Sequence, residues 1–271
     1  MQQNYLSNQK HILTSEDTYL SPSQKNKSLL KNASLNFFFH FIKIVIDSGL
    51  SAKRGKYGNN EWIASSLRIL KALESVGVEF EISGLKNLTS FDGPALFISN
   101  HMSTLETNVL PALIEPYKDV TFVVKQELLN VPFFGKVLKT RKPIIVGRSN
   151  PREDFVQVIN QGLKILNEGR SIIIFPQRTR SNIFNPVSFN SLGIKLAKKA
   201  GINVIPTALA TDAWGNGKVF KEFGKIDPEK KVHFCFGKPF KIESNGNKEH
   251  LEVLNFIKNK LIEWNRQDCL S

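Results

Sequence analysis

A histidine and a glutamate five positions apart can work together only if the backbone turns between them, and Asn100-His101-Met102-Ser103-Thr104-Leu105-Glu106 contains such a turn. On one continuous helix that separation is about 500°, which leaves the side chains roughly 140° apart and unable to meet. Ser103-Thr104-Leu105-Glu106 is a capping-box pattern, with Ser103 as N-cap and Glu106 at N3. The pattern places His101 in the turn and Glu106 in the first turn of the helix that follows. A carboxylate there fixes the imidazole tautomer and stabilises the imidazolium, leaving the other ring nitrogen to take a proton. The same residues also read as a plain helix cap preceded by a turn histidine, and the loop alone supports both readings.

Three further loops carry cations behind apolar runs. Phe175-Pro176-Gln177-Arg178-Thr179-Arg180-Ser181 follows SIII and sets two arginines around a hydroxyl, a fork suited to phosphate or carboxylate. Gly147-Arg148-Ser149 follows Pro143–Val146, and Lys125 follows TFVV. Taken singly, each of these cations also reads as an ordinary solvated side chain.

The elements that must position these loops are legible as alternating strands and helices. The sequence predicts strands at Val78–Ile82, Ala95–Ser99, Val120–Val124, Pro143–Val146, Ser171–Phe175, Asn203–Ala208 and Val232–Phe236. Several are unbroken apolar runs, as strands covered on both faces require. The clearest helix opens on Asn150-Pro151-Arg152-Glu153, buries Phe155, Ile159, Leu163 and Leu166, and stops at Gly169. Others are expected over 28–48, 61–75 and about 190–200, and at the C-terminus around Leu251, Leu254, Leu261 and Trp264. The expected class is α/β: a mixed, mostly parallel central sheet flanked by helices, with an N-terminal two-helix membrane-associating element. The ligands of such sheets bind where loops leave the carboxyl ends of strands. The expected division is a flexible N-terminus (1–27), a helical membrane-associating segment (28–76) and the α/β domain (77–271).

The bulk numbers narrow the partners. With 41% hydrophobic and 23% charged residues in 271, the chain is an ordinary globular protein and not a disordered one. A net charge of +13 calls for an anionic partner, nucleic acid or lipid. The scattered lysines and arginines make no nucleic-acid motif. The polar N-terminus lacks the apolar core of a signal peptide, and Phe37–Ile46 is interrupted by His40 and Lys43. A segment that touches a membrane without crossing it fits both facts, with Lys27, Lys31 and Lys43 at the head groups. Cys235 and Cys269 read as reduced thiols, which favours the cytosolic side. His11, His40, His233 and His250 form no ligand pair, and no metal or redox cofactor is implied.

In this order, the loops resemble the glycerolipid acyltransferase family, whose best-known members are the 1-acylglycerol-3-phosphate acyltransferases. Asn100, His101 and Glu106 stand at the N, H and D of its N-H-x-x-x-x-D block. Pro132-Phe133-Phe134-Gly135 with Gly147-Arg148, Phe175 through Ser181, and Val204-Ile205-Pro206-Thr207-Ala208 resemble the second, third and fourth blocks. The resemblance implies that His101, oriented by Glu106, deprotonates an acceptor hydroxyl, which attacks the thioester of acyl-CoA or acyl-carrier protein without a covalent enzyme intermediate. It implies that Arg180 and Arg148 hold the acceptor's phosphate, with Asn100, Lys125, Gln177, Arg178 and Thr179 as further substrate contacts. Membrane lipid and the acyl donor are the expected partners, at the cytoplasmic face of the membrane. Glu106 stands where the family has Asp, Gln177 where it has Glu and Arg178 where it has Gly. The last two leave room for another acceptor, such as a lyso-ornithine lipid, or for an inactive lipid-binding relative.

Overall fold

The computed structural model describes residues 17–22, 32–147, 149–177, 179–218 and 220–271. Among these, eight strands form one sheet: β1 (Thr18–Leu20), β2 (Phe80–Ser83), β3 (Ala95–Ser99), β4 (Val120–Lys125), β5 (Ile144–Val146), β6 (Ser171–Ile174), β7 (Asn203–Ala210) and β8 (Val232–Phe236), in the spatial order β1-β2-β8-β7-β3-β6-β4-β5. From β7 to β5 every neighbouring pair is parallel. The β7–β8 and β1–β2 pairs are antiparallel, while β2 and β8 are parallel to each other. The mixed, mostly parallel sheet expected from the sequence is the one observed. Because β3, β4, β5, β6 and β7 run the same way, their following loops all leave from one edge.

Both faces of the sheet are covered, and residues alternate between them. Leu96, Ile98, Ile172 and Ile174 belong to one apolar core, and Phe97 and Ile173 to the other. The first core lies under α5 (Pro151–Asn167), α6 (Leu192–Ala200) and α7 (Asn247–Glu263). The second lies under α1 (Ala33–Lys53), α2 (Asn59–Ser75) and α3 (Leu105–Ile114). Burial on two faces is why the strands read as continuous apolar runs.

Local signals hold at most helix ends. Asn150 accepts from the backbone N–H of Arg152 at 3.1 Å and caps α5 as its sequence predicts. Gly169 and Gly201, just past α5 and α6, take positive φ angles of 83° and 66°. Phe155 and Leu251 depart from expectation. Both are exposed, because the apolar stripe of each helix is narrower than its sequence and the sheet takes only its inner side.

The N-terminal region differs more. Residues 1–27 were expected to be loose, yet Thr18–Leu20 forms an edge strand on β2. Three residues are too short to show a period in sequence. The helix expected over 28–48 is observed over Ala33–Lys53; residues 27 and 31, with two of the lysines assigned to head groups, lie outside the described residues. It continues through Gly49 because that position touches neighbouring backbone. A Cβ there would lie 2.5 Å from the Cβ of Phe133. Phe133 itself has φ 60°, a conformation that costs a non-glycine residue about 1–3 kcal/mol. It leads into a short helix, α4 (Phe134–Thr140), that periodicity does not announce.

The uninterrupted α1 is 21 residues long with a mean hydropathy of 1.2 over its most apolar window, enough by length and composition to cross a bilayer. Phe37, Phe41, Ile44, Ser48 and Gly49 are nevertheless buried against the domain. Phe37 and Phe41 pack edge-on to Trp214 at 4.8 and 4.9 Å between ring centroids. Gly49→Ala is expected to force α1 away from Phe133 and to destabilise the fold by about 1–3 kcal/mol. A fall in thermal midpoint checks this.

Candidate active site

The loop after β3 brings His101 and Glu106 together. His101 Nδ1 lies 2.8 Å from Glu106 Oε1, with the histidine side chain 15% exposed and the glutamate fully buried. A buried carboxylate needs several donors to remain charged, and Glu106 has them. Its Oε1 accepts from Met102 N–H at 2.7 Å and Ser103 N–H at 2.9 Å. Its Oε2 accepts from the Ser103 hydroxyl at 3.0 Å and the Thr211 hydroxyl at 2.6 Å. Burial works to raise the carboxyl pKa, but the bond and charge of His101, with the Thr211 and Ser103 donors, outweigh it and hold the group below the usual glutamate range. An ionised Glu106 can only accept, so Nδ1 carries the shared hydrogen and Nε2 is the basic nitrogen.

The capping-box expectation holds in its essential half. The Glu106 side chain reaches back to Ser103 N–H, while the Ser103 hydroxyl accepts from Leu105 N–H at 3.1 Å rather than from residue 106. The helix begins at Leu105 with Thr104 as its N-cap, one residue later than the Ser103 cap expected, so Glu106 is its second residue rather than its third. The two readings of this loop are one structure: the cap is what points the carboxylate at the imidazole.

The loop after β6 holds His101 from the other side. Gln177 Oε1 accepts from His101 N–H at 2.8 Å, and Ser181 N–H donates to the His101 carbonyl at 2.9 Å. The Phe175 ring stacks on the imidazole, centroids 4.2 Å apart and planes 16° apart. Asn216, from the segment after β7, donates to the Met102 carbonyl at 2.9 Å.

Several residues expected at the substrate also hold the loops together. Asn100 is buried and clips β3 to β7, donating to Leu209 O at 2.8 Å and accepting from Leu209 N at 2.9 Å. Gln177 is buried with its carbonyl oxygen committed to the His101 backbone. These bonds share one cause: the loops need internal hydrogen bonds before they can present anything. Thr179 is exposed and accepts from Lys221 Nζ at 3.0 Å. Lys125 ends β4 on the same edge. Arg148 and Arg178 lie outside the described residues.

Arg180 sits over the start of α3. Its Nη1 donates to the Thr104 hydroxyl, and its Nη2 pairs with Glu222 Oε1 at 2.5 Å. Burial works to raise the Glu222 pKa, and the bond to Arg180 outweighs it and lowers the group. Thr211, Phe175 as a stacking partner and Glu222 were not found from sequence, while Asn216 lies in the turn-rich 212–217 run, which reads either as lining the site or as a structural loop. Of the first three, only Phe175, fixed beside Pro176 behind a strand, left a local trace. Elsewhere, His233 is buried and stacked on Trp264 at 4.7 Å, and burial pushes its pKa down to about 4, as a core histidine requires.

The site thus sets an oriented imidazole and an arginine side by side at the carboxyl edge of a parallel sheet. Residues 79–210 match the family described as Acyltransferase. Over 132 residues it is 39% identical to a 1-acyl-sn-glycerol-3-phosphate acyltransferase of Pseudomonas aeruginosa, covering 49% of each chain. Over 141 residues it is 31% identical to the chloroplastic 1-acyl-sn-glycerol-3-phosphate acyltransferase LPAT1 of Arabidopsis thaliana, covering 52% of this chain and 37% of the other. The match thus spans about half or less of the length of these relatives. The fold is similar to the crystal structure of the 1-acyl-sn-glycerophosphate acyltransferase PlsC from Thermotoga maritima, with TM-score 0.67 and 18% identity over 86% of this chain and 95% of that one.

Thr211→Val keeps the shape and deletes one donor to a buried charge, and is expected to cost about 1–3 kcal/mol at neutral pH. A carboxyl held low in the folded state stabilises above its unfolded pKa, and loses that contribution as pH falls through its folded value. Losing the Thr211 hydroxyl raises the folded value, so the variant should lose stability at a higher pH than the parent. Urea unfolding across pH 3 to 7 checks this.

Proposed function

We propose that this protein transfers a fatty acyl group from a thioester donor, acyl-CoA or acyl-carrier protein, to the free hydroxyl of a lysophospholipid. The acceptor the reading favours is 1-acylglycerol-3-phosphate, and the product is then phosphatidic acid. The observation that carries this is the buried Glu106 carboxylate holding His101 Nδ1 at 2.8 Å, three residues from the Thr104 hydroxyl that Arg180 engages. The names of the relatives supply the substrate class.

The chemistry follows from the tautomer. His101 Nε2 takes the acceptor's hydroxyl proton, the oxygen attacks the thioester carbonyl, and the departing thiolate takes the proton back from the imidazolium. Glu106 stabilises that transient charge without exchanging a proton. Arg180 holds the acceptor's anionic group so that its hydroxyl meets Nε2, and alignment of this kind lowers a barrier by up to roughly 7–11 kcal/mol. His101→Ala is expected to reduce transfer by about 10²–10⁴-fold while vesicle binding persists. Unchanged turnover with purified protein, labelled donor and a lysolipid panel would falsify the assignment. The same panel separates 1-acylglycerol-3-phosphate from lyso-ornithine and other acceptors. The intact His101–Glu106 pair speaks against an inactive lipid-binding relative.

The reading also places the protein on a membrane, at the cytoplasmic side. Leu35, Phe39, Ile42, Ile46 and Leu50 make one exposed apolar stripe along α1, opposite the face packed on the domain. Exposed Lys43 lies beside it. A helix with one face docked and the other apolar suits the head-group boundary, lying in its plane. Both cysteines are unpaired and buried, consistent with a reducing compartment. Replacing Phe39 and Ile42 together by Asp is expected to abolish flotation with anionic liposomes. Undiminished flotation would remove α1 from the membrane contact.

A further inference from the structure

Arg180 is engaged by a carboxylate from elsewhere in the chain. Glu222 is 41% exposed and Arg180 17%, so the pair lies at the surface of the site. Glu222 is not a loosely held side chain. Its backbone carbonyl accepts from Trp214 Nε1 at 2.8 Å, and Trp214 is buried against α1. The segment bearing it doubles back tightly, with Gly215 N–H donating to Lys225 O at 2.9 Å. A Cβ on Gly224 would fall 1.8 Å from the Gly215 carbonyl oxygen, so only glycine permits the crossing. The neighbouring Lys221 is tied to Thr179, one residue before Arg180. Lys125, at the end of β4, adds its field to the same carboxylate.

We propose that Glu222 is a built-in competitor for the acceptor's anion: an acceptor must exchange its own anion for the Glu222 carboxylate on Arg180 before its hydroxyl is held at His101. The proposal rests on the reading of Arg180 as the acceptor's anion site. A carboxylate brings one negative charge. A phosphate monoester near neutral pH brings about 1.5 to 2, with three acceptor oxygens. Against a competing carboxylate the monoester displaces it and also draws on the nearby lysines. A phosphodiester, with a single charge, gains little from the exchange. A competitor on the site raises the apparent dissociation constant of every anionic acceptor by the same factor, set by the fraction of Arg180 that Glu222 leaves unpaired, and does not act on an acceptor that brings no anion.

The test uses the full chain in mixed micelles, with Glu222→Gln, Arg180→Ala and the double variant. The acceptors are 1-acylglycerol-3-phosphate, a lysophosphatidylglycerol and a monoacylglycerol without phosphate. Glu222→Gln is expected to lower KM for both phosphate-bearing acceptors by roughly two- to fivefold, the range of one half-exposed ion pair. The fall should be about the same for the monoester and the diester, kcat should move less than twofold, and KM for the monoacylglycerol should not change. In the Arg180→Ala background the Glu222 substitution should have no effect. If Glu222→Gln melts early, Glu222→Asp carries the same comparison, with a smaller fall in KM. An unchanged KM, or an equal change with the monoacylglycerol, overturns the role of Glu222. If Arg180→Ala raises KM while Glu222→Gln leaves it alone, only the Glu222 proposal fails. If Arg180→Ala leaves the phosphate acceptors unaffected, the anion-site reading fails and this proposal with it.

Discussion

Glu106 carries a negative charge with no exposed surface, and much of the surrounding architecture can be read as what that charge requires. Its oxygens accept from two successive backbone N–H groups, two hydroxyls and an imidazole. Removed from water without them, a carboxylate would take up a proton and could no longer orient a base. The backbone donors come from the turn before α3 and one hydroxyl comes from beyond β7. The charge therefore depends on β3 and β7 being neighbours. Asn100 secures that neighbourhood by bonding both polar groups of Leu209.

The imidazole is constrained from the opposite side by a different strand. The loop after β6 stacks Phe175 on the ring and closes on both backbone groups of His101 through Gln177 and Ser181. Glutamine at 177 supplies the acceptor the His101 N–H needs, as a glutamate would, without adding a second negative charge beside Glu106. The substitution thus acts through the base's position and leaves the anion fork to Arg180. The sheet order β7-β3-β6 puts the base on the middle strand with a clamp on each side.

The N-terminal helix is joined to this site by one residue. Trp214 packs against Phe37 and Phe41 of α1 and holds the backbone of Glu222, which in turn meets Arg180. The helix that carries the exposed apolar stripe and Arg180 are therefore connected through Trp214 and Glu222. Two close approaches, Gly49 to Phe133 and Gly224 to Gly215, permit this packing.

The sequence by itself determined the strands of the sheet's interior, most helix ends and the polar loops behind the strands, and it offered the His101–Glu106 pairing as one of two readings. Each of these is local: a strand buried on two faces is a continuous apolar run, and a capping box spans four residues. It could not say how the polar loop residues are engaged: Asn100 clips β3 to β7 and Gln177 holds the His101 backbone. Nor could it find Thr211, the Phe175 stack or Glu222. Thr211 is 105 residues from Glu106 and Glu222 is 42 from Arg180, and such pairs meet only through the order of strands in the sheet. Strand order is set by which faces can be buried together, a property of the packed chain that no window of sequence contains. The edge strand Thr18–Leu20 and the docked face of α1 belong to the same category: each is defined by its partner, β2 for one and Trp214 with Phe133 for the other.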